Sequence, residues 1–307
     1  MLEYHTAYSG CLYLKGGFMR KDTLLFISPA LLIVLIFLII PVFQSFYLSF
    51  LSDDGQFVGL KNYIAIFQDT RIINFSNFPK WPPLGALIHN FIWIAIHLPL
   101  TLFLGLFFAL LLKGVKGSTI IRSVIFMGMI VPMVVGGILV RFLFSKNAGM
   151  VSRFFRTIGV EQLDINWIAH PETALLALIL TSIWLWTGYC LVVYMAALTT
   201  IPRSLYEAAA LDGASAWRQF RHITFPLLKP ATGIIVIMTV IWETKLFDIV
   251  YSSTLGGPGR STSVMALEMY LTAFRYFEYG KGTAIASLLT LMTIIPIIFM
   301  VRASMKS

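Results

Sequence analysis

Glu243, Lys245 and Asp248 stand inside one apolar segment of the chain, Ala231 to Tyr251. At the centre of a membrane-spanning helix each such charge costs about 2.5–3.5 kcal/mol, so none of them is expected to face lipid. Lys245 and Asp248 are three residues apart and would share a helical face, which reads as an internal ion pair. Glu243 falls outside that pairing and has two readings: the wall of a wet cavity where it meets a substrate, or a structural partner for another helix. Other chemistries find no support. Cys11 and Cys190 lie far apart and fit no metal-ligand or redox spacing. His89 and His97, eight residues apart in an apolar span, read as hydrogen-bonded packing groups rather than metal ligands. Gly280-Lys281-Gly282-Thr283 imitates the end of a phosphate loop but lacks the glycine five residues before Gly280, so ATP is not expected there. No Ser/His/Asp or Cys/His set is identifiable, so the chain is not expected to be an enzyme or to hold a metal.

The elements that must carry these residues are membrane helices. Of the 307 residues 58% are hydrophobic and only 12% charged, where a soluble domain carries about 25% charged. Six apolar segments emerge: Leu24 to Phe46, Leu84 to Leu112, Ile120 to Phe144, Thr173 to Leu198, Ala231 to Tyr251 and Ala284 to Val301. Each is long enough to cross as a helix, and none shows the ten-residue alternation of a β-barrel strand. The expected fold is all-α, an integral membrane bundle of six transmembrane helices. Gly105 and Ala109 have the small-x-x-x-small spacing that lets helices approach closely. The net charge of +9 comes with no basic run interleaved with aromatics, so nucleic acid is not an expected partner and the charge reads as topology. With the N-terminus inside, the inner segments hold twelve Lys and Arg against four Asp and Glu, and the outer loops ten against eight. Both termini are therefore expected in the cytoplasm. The organisation reads as an N-terminal segment 1–23, a transmembrane domain 24–301 with a cytoplasmic loop 200–230 inside it, and a tail 302–307. The first twenty residues lack the apolar core of a signal peptide, the Ser9-Gly10-Cys11 stretch is no lipoprotein site without one, and Met19 reads as the natural start.

The loop between the fourth and fifth segments is too polar to span and too patterned for a slack linker. Ser204 and Glu207 have capping-box spacing, which predicts a helix from near Leu205. Ala208 to Ala210 extend it, and Asp212-Gly213 stops it. Ser215 is placed to cap a second helix through Trp217, Phe220 and Arg221, with Pro226 and Pro230 at its exit. Glu207-Ala208-Ala209, three residues, Gly213, nine residues, Ile223, one residue and Phe225-Pro226 resembles the EAA loop of permease subunits in bacterial ABC importers. The departure is Phe225 where that pattern has Leu. Ile201-Pro202, Leu205-Tyr206, Asp212-Gly213-Ala214 and Gly256-Gly257-Pro258 with Thr262 narrow the resemblance to carbohydrate-uptake permeases of the MalF and UgpA type, from Leu24 onward and without a large outer domain.

The resemblance implies a transmembrane subunit of a binding-protein-dependent importer in the bacterial inner membrane. It also implies a second, similar permease subunit, two cytoplasmic ATPase subunits that hold the ATP and Mg, and an extracytoplasmic solute-binding protein. Under it, Glu207, Ala208, Ala209, Asp212, Gly213, Ala214, Trp217 and Phe220 form the ATPase-coupling helix. Loops Phe50 to Pro83, Ser145 to Pro171 and Gly256 to Gly282 would receive the binding protein. Placing the family's contact positions by counting from Glu207 lands on Trp186, Tyr189, Thr239, Trp242 and Glu243, with Trp184 and Tyr194 as interfacial or packing aromatics. Indole faces suit the C–H side of a pyranose, and hydroxyl and carboxylate groups suit its hydroxyls. An acidic Glu243 with no spare intramembrane Arg disfavours a phosphorylated substrate such as a glycerol phosphate. The expected cargo is a neutral di- or oligosaccharide, or a glycosyl-polyol, carried by alternating access. The rival readings are an ion-gradient-driven transporter with Glu243 and Asp248 as coupling carboxylates, and a membrane enzyme or scaffold.

Overall fold

A computed structural model describes residues 21–76 and 82–304. The start at Met19, the Ser9-Gly10-Cys11 stretch, Lys80 and the end of the tail lie outside the described residues. Within them the regular structure is helical, apart from one isolated antiparallel bridge between Leu51 and Phe57.

The chain divides into two units, 1–45 and 46–307. In the first, α1 (Lys21–Val34) passes through a π turn (Leu35–Ile39) into α2 (Ile40–Leu48), which crosses the division. Its apolar side chains, among them Phe26, Leu32 and Phe37, are exposed, as expected of a helix bathed in lipid.

The second unit is built around α8 (Pro171–Thr200), which starts at a proline that needs no N–H partner and is largely buried. Against it pack α4 (Ala86–Leu111) and α5 (Ser118–Ile130). The small-residue spacing of α4 does what it predicts: a Cβ on Gly105 would collide with Cys190 of α8, and Ala109 is fully buried. The third apolar segment is not one straight span. Val131 is extended and Pro132 N-caps a new helix, α6 (Met133–Leu143), bent by 102° from α5, because proline disfavours helical geometry in the residue before it. Short helices α3 (Lys61–Gln68) and α7 (Met150–Thr157) occupy the loops that precede α4 and α8.

After α8 the loop folds as α9 (Arg203–Leu211) and α10 (Ala216–Gln219), continued by a π turn (Phe220–Thr224) and α11 (Phe225–Leu227). A 58° bend at Leu228 then leads into α12 (Lys229–Thr244). The fifth apolar segment also departs from expectation: α12 ends at Thr244, and α13 (Asp248–Ser253) begins after a three-residue break. A loop, α14 (Met265–Tyr270) and a π turn (Leu271–Arg275) follow. The last helix, α15 (Tyr279–Ser304), packs on α12 and α14 and begins five residues before the expected segment. Four described helices are long and apolar enough to cross a membrane, or six if each bent pair is one span.

Candidate functional site

Two helical faces meet where α8 passes α12. Thr239, Trp242 and Glu243 are spaced i, i+3 and i+4 on α12, and Trp186 and Tyr189 i, i+3 on α8, so each set shares one face. The structure brings the faces together. The Trp186 indole N–H donates to Thr239 Oγ1 at 2.9 Å with both residues buried. Trp186 also lies 4.4 Å, centroid to centroid, from Trp242 and 5.1 Å from Tyr189. Glu243, only 4% exposed, pairs with the equally buried His97 of α4. The structural reading of Glu243 is met, since it ties α12 to α4, and the residue also lines a small cavity.

That cavity measures about 20 Å³ and is walled by Trp93, His97, Met133, Ser182, Trp186, Thr239, Trp242, Glu243 and Leu246. It is the size of one water and far below the roughly 300–1,000 Å³ of small-molecule sites. Trp186 and Trp242 are in contact between α8 and α12, and the cavity beside them is too small for a sugar. Trp93 Nε1 and Glu243 Oε2 are buried on the cavity wall with no hydrogen-bond partner among the described residues. A donor and an acceptor turned into an aromatic enclosure are chemically suited to a hydroxylated ligand.

The neighbouring polar groups of α4 are frame. The side-chain amide of Asn90 donates to the Glu243 carbonyl at 2.9 Å, near the end of α12 where carbonyls lose their helical partners, and its oxygen accepts the Met265 N–H at 2.8 Å. His89 Nε2 accepts the Leu84 N–H, so its Nδ1–H donates to the Ser263 carbonyl at 2.8 Å, the packing role read from sequence. His97, read the same way, belongs to the site instead. The signal for it was present: Asn90, Trp93, His97 and Thr101 recur at helical spacing, and all four are buried on one stripe of α4.

The expected Lys245–Asp248 ion pair is not formed. Lys245 is the C-cap of α12 and Asp248 opens α13, so the break between them removes the shared face, and both side chains are exposed. Trp184 is exposed at 47%, whereas Tyr194 is buried and bonded to Thr232.

The polar loop forms a second constellation. The expected capping box is absent because Pro202 takes the N-cap position and Glu207 pairs instead with Arg203 at 3.0 Å, so α9 starts two residues earlier than expected. The helix ends as expected. Gly213 is left-handed (φ 73°), its N–H donates to the Ala210 carbonyl, and the Ala214 N–H donates to the Ala209 carbonyl at 2.9 Å. Ser215 caps α10 through the Arg218 N–H. Tyr206 anchors the pair from below, sharing a hydrogen bond with Thr224 at 2.9 Å while Lys113 of the α4–α5 turn lies over its ring at 4.7 Å. Leu211 (90% exposed) and Trp217 (67%) are left facing outward, beside a cavity of about 300 Å³ that Ala209, Asp212, Ala214 and Arg218 help to line.

Residues 101–306, which hold this loop and the α8–α12 face, match the family described as binding-protein-dependent transport system inner membrane component. The chain belongs to that family. Over 280 residues it is 51% identical to "Probable ABC transporter permease protein PH1038" of Pyrococcus horikoshii, covering 90% of this chain and 96% of that one. It is 32% identical to the trehalose/maltose transport system permease protein MalF of Thermococcus litoralis, covering 88% and 89%. Among solved structures, a chain of a bacterial ABC transporter that imports the acidic polysaccharide alginate superposes with a TM-score of 0.77 at 20% identity, covering 94% of this chain and 96% of that one, which establishes the shared fold. The chain is thus an ABC transporter permease, a non-enzymatic inner-membrane component that works with a separate ATPase subunit. Membership in a binding-protein-dependent family sets aside both rivals, the ion-gradient transporter and the membrane enzyme.

Proposed function

We propose that this permease carries a neutral di- or oligosaccharide, or a glycosyl-polyol, through a path lined by Trp186, Tyr189, Thr239, Trp242 and Glu243. The observation that carries this reading is the meeting of two indoles in contact, a hydroxyl and a buried carboxylate across α8 and α12. Such a set supplies an apolar face for a sugar ring and acceptors for its hydroxyls, with no free cation for a phosphate. The 32% identity to a trehalose/maltose permease agrees with it. Transport then requires α8 and α12 to part, separating the Trp186–Trp242 pair, because a sugar does not fit the closed cavity. In this reading the six spans place both termini in the cytoplasm. Glu207, Ala208, Ala209, Asp212, Gly213, Ala214, Trp217 and Phe220 dock into one of two cytoplasmic ATPases, which hold ATP and Mg. A second permease subunit completes the path, and a solute-binding protein delivers the sugar to the opposite side.

The experiment is uptake of radiolabelled maltose, trehalose and lactose by proteoliposomes holding the complex copurified with this chain. Accumulation that needs ATP and the solute-binding protein is expected for at least one sugar. An intact, ATP-hydrolysing complex that accumulates none of them, but does accumulate a phosphorylated or peptide substrate, refutes the sugar assignment.

A further inference from the structure

Beyond the end of α12 remote from the polar loop, α13, the loop 254–264, α14 and the π turn after it line a cavity of about 330 Å³. Unlike the cavity at the α8–α12 cluster, this one lies within the size range of small-molecule sites. Its walls carry Tyr251, Tyr270, Tyr276, Arg260, Ser263 and Glu268. We propose that it is a second carbohydrate site, where one sugar unit of the cargo binds before reaching the α8–α12 cluster, an inference that rests on the sugar-permease reading.

Two features of the wall suit a sugar. Tyr251 and Tyr270 stand at 83° to one another with centroids 5.5 Å apart, forming a corner on which a pyranose can lay its C–H face against one ring and its rim against the other. Beside them Glu268 is 1% exposed, accepting from Arg260 Nη1 at 3.1 Å on each carboxylate oxygen and from the Ser263 hydroxyl at 2.6 Å. Arg260 Nη2 donates to the Tyr276 hydroxyl at 3.2 Å, and 42% of the Arg260 side chain stays exposed. Glu268 thereby fixes the guanidinium, whose exposed side offers N–H donors to sugar hydroxyls, whereas an anion would find Arg260 already neutralised. Arg275 lines the same cavity but its side chain is exposed, where water and salt screen it.

The site also extends in the direction a second sugar unit would need. Arg260 lines a neighbouring cavity of about 240 Å³ together with Thr70, Arg71, Asn74 and Gly85. Arg71 lies over the Tyr276 ring at 5.4 Å, so the two cavities share a wall of Arg260 and the Arg71–Tyr276 stack. Arg260 holds this position with a left-handed backbone (φ 65°), a conformation that non-glycine residues rarely adopt and that gathers at binding sites.

The test is equilibrium binding of radiolabelled maltose and trehalose to the assembled complex in nanodiscs, without ATP and without the solute-binding protein. Tyr270→Ala and Arg260→Gln are expected to bind at least tenfold more weakly than wild type, and Tyr270→Phe restores the wild-type value. If Tyr270→Ala fails to assemble, Arg260→Gln decides alone. Binding that survives Tyr270→Ala and Arg260→Gln but is lost in Trp242→Ala overturns the second site and leaves the sugar permease standing. Unchanged sugar binding with impaired capture of the solute-binding protein overturns it in favour of a docking surface. If wild type binds neither sugar here and transports no sugar in the uptake assay, the sugar reading fails with it.

Discussion

Glu243 and His97 show how one contact can serve both folding and transport. Removing one member of a buried polar pair costs about 1–3 kcal/mol because the other is left without a partner, whereas replacing both with apolar groups of similar shape is nearly neutral. His97→Leu alone should therefore lower the thermal unfolding midpoint of the purified complex markedly, and His97→Leu with Glu243→Leu should recover most of the loss while transport stays abolished. Equal stability of the single and double variants would show that the two side chains do not interact. Trp186→Phe keeps an aromatic ring beside Trp242 but removes the hydrogen bond to Thr239, a loss of about 1 kcal/mol for that bond. In the loop before α4, burial alone would raise the Asp69 carboxyl, but hydrogen bonds from the guanidinium and backbone N–H of Arg71 outweigh it and hold it below the ordinary carboxylate range. A depressed value in the folded state gives stabilisation that is full above the unfolded pKa and lost as pH falls through the folded one. The Asp69–Arg71 clamp should therefore hold from neutrality down to about pH 4 and weaken only below it. Asp69→Asn should flatten that acid limb in a pH series of thermal melts, and an unchanged limb would show that the clamp does not contribute.

At the scale of the element, α9 and α10 are joined by a turn that depends on Gly213. No atom crowds the position where its Cβ would be, so Gly213→Ala should cost only the backbone term of the left-handed conformation, about 1 kcal/mol. Proline, with its fixed negative φ, cannot adopt that conformation. In affinity capture from native membranes, Gly213→Pro should therefore lose the ATPase while keeping the second permease, with Gly213→Ala intermediate. Equal ATPase recovery from all three chains would remove the loop from the coupling role. Much of this architecture was legible in the sequence because it is local. Gly213 as a stop and Ser215 as a cap follow from local residue chemistry and spacing, whereas Thr239, Trp242 and Glu243 were named as a set only through the family resemblance. What escaped depends on competition or on breaks. Pro202 displaced Ser204 from the cap, Pro132 bent an unbroken apolar run by 102°, and the end of α12 at Thr244 separated Lys245 from Asp248. The pairing of His97 with Glu243 joins residues distant in sequence, so the stripe on α4 could mark His97 as buried but could not name its partner.

At the scale of the molecule, the chain is a permease with its polar loop at one end of α12 and its sugar-sized cavity at the other, separated by a helix of 16 residues, about 24 Å long. Between them lies the closed α8–α12 cluster. In the proposed function, a rigid-body displacement of the loop by an ATPase parts α8 from α12, a reading supported by α9 following directly on α8 and α11 leading directly into α12. The measurement that tests this account most directly is the concentration dependence of ATP-driven sugar uptake by the reconstituted complex, comparing wild type with Trp242→Ala and Glu243→Gln. The account predicts complexes that still assemble and still hydrolyse ATP, with uptake reduced at least tenfold at low sugar concentration. Uptake that matches wild type in both variants, across the whole concentration range and with unchanged sugar preference, would contradict it.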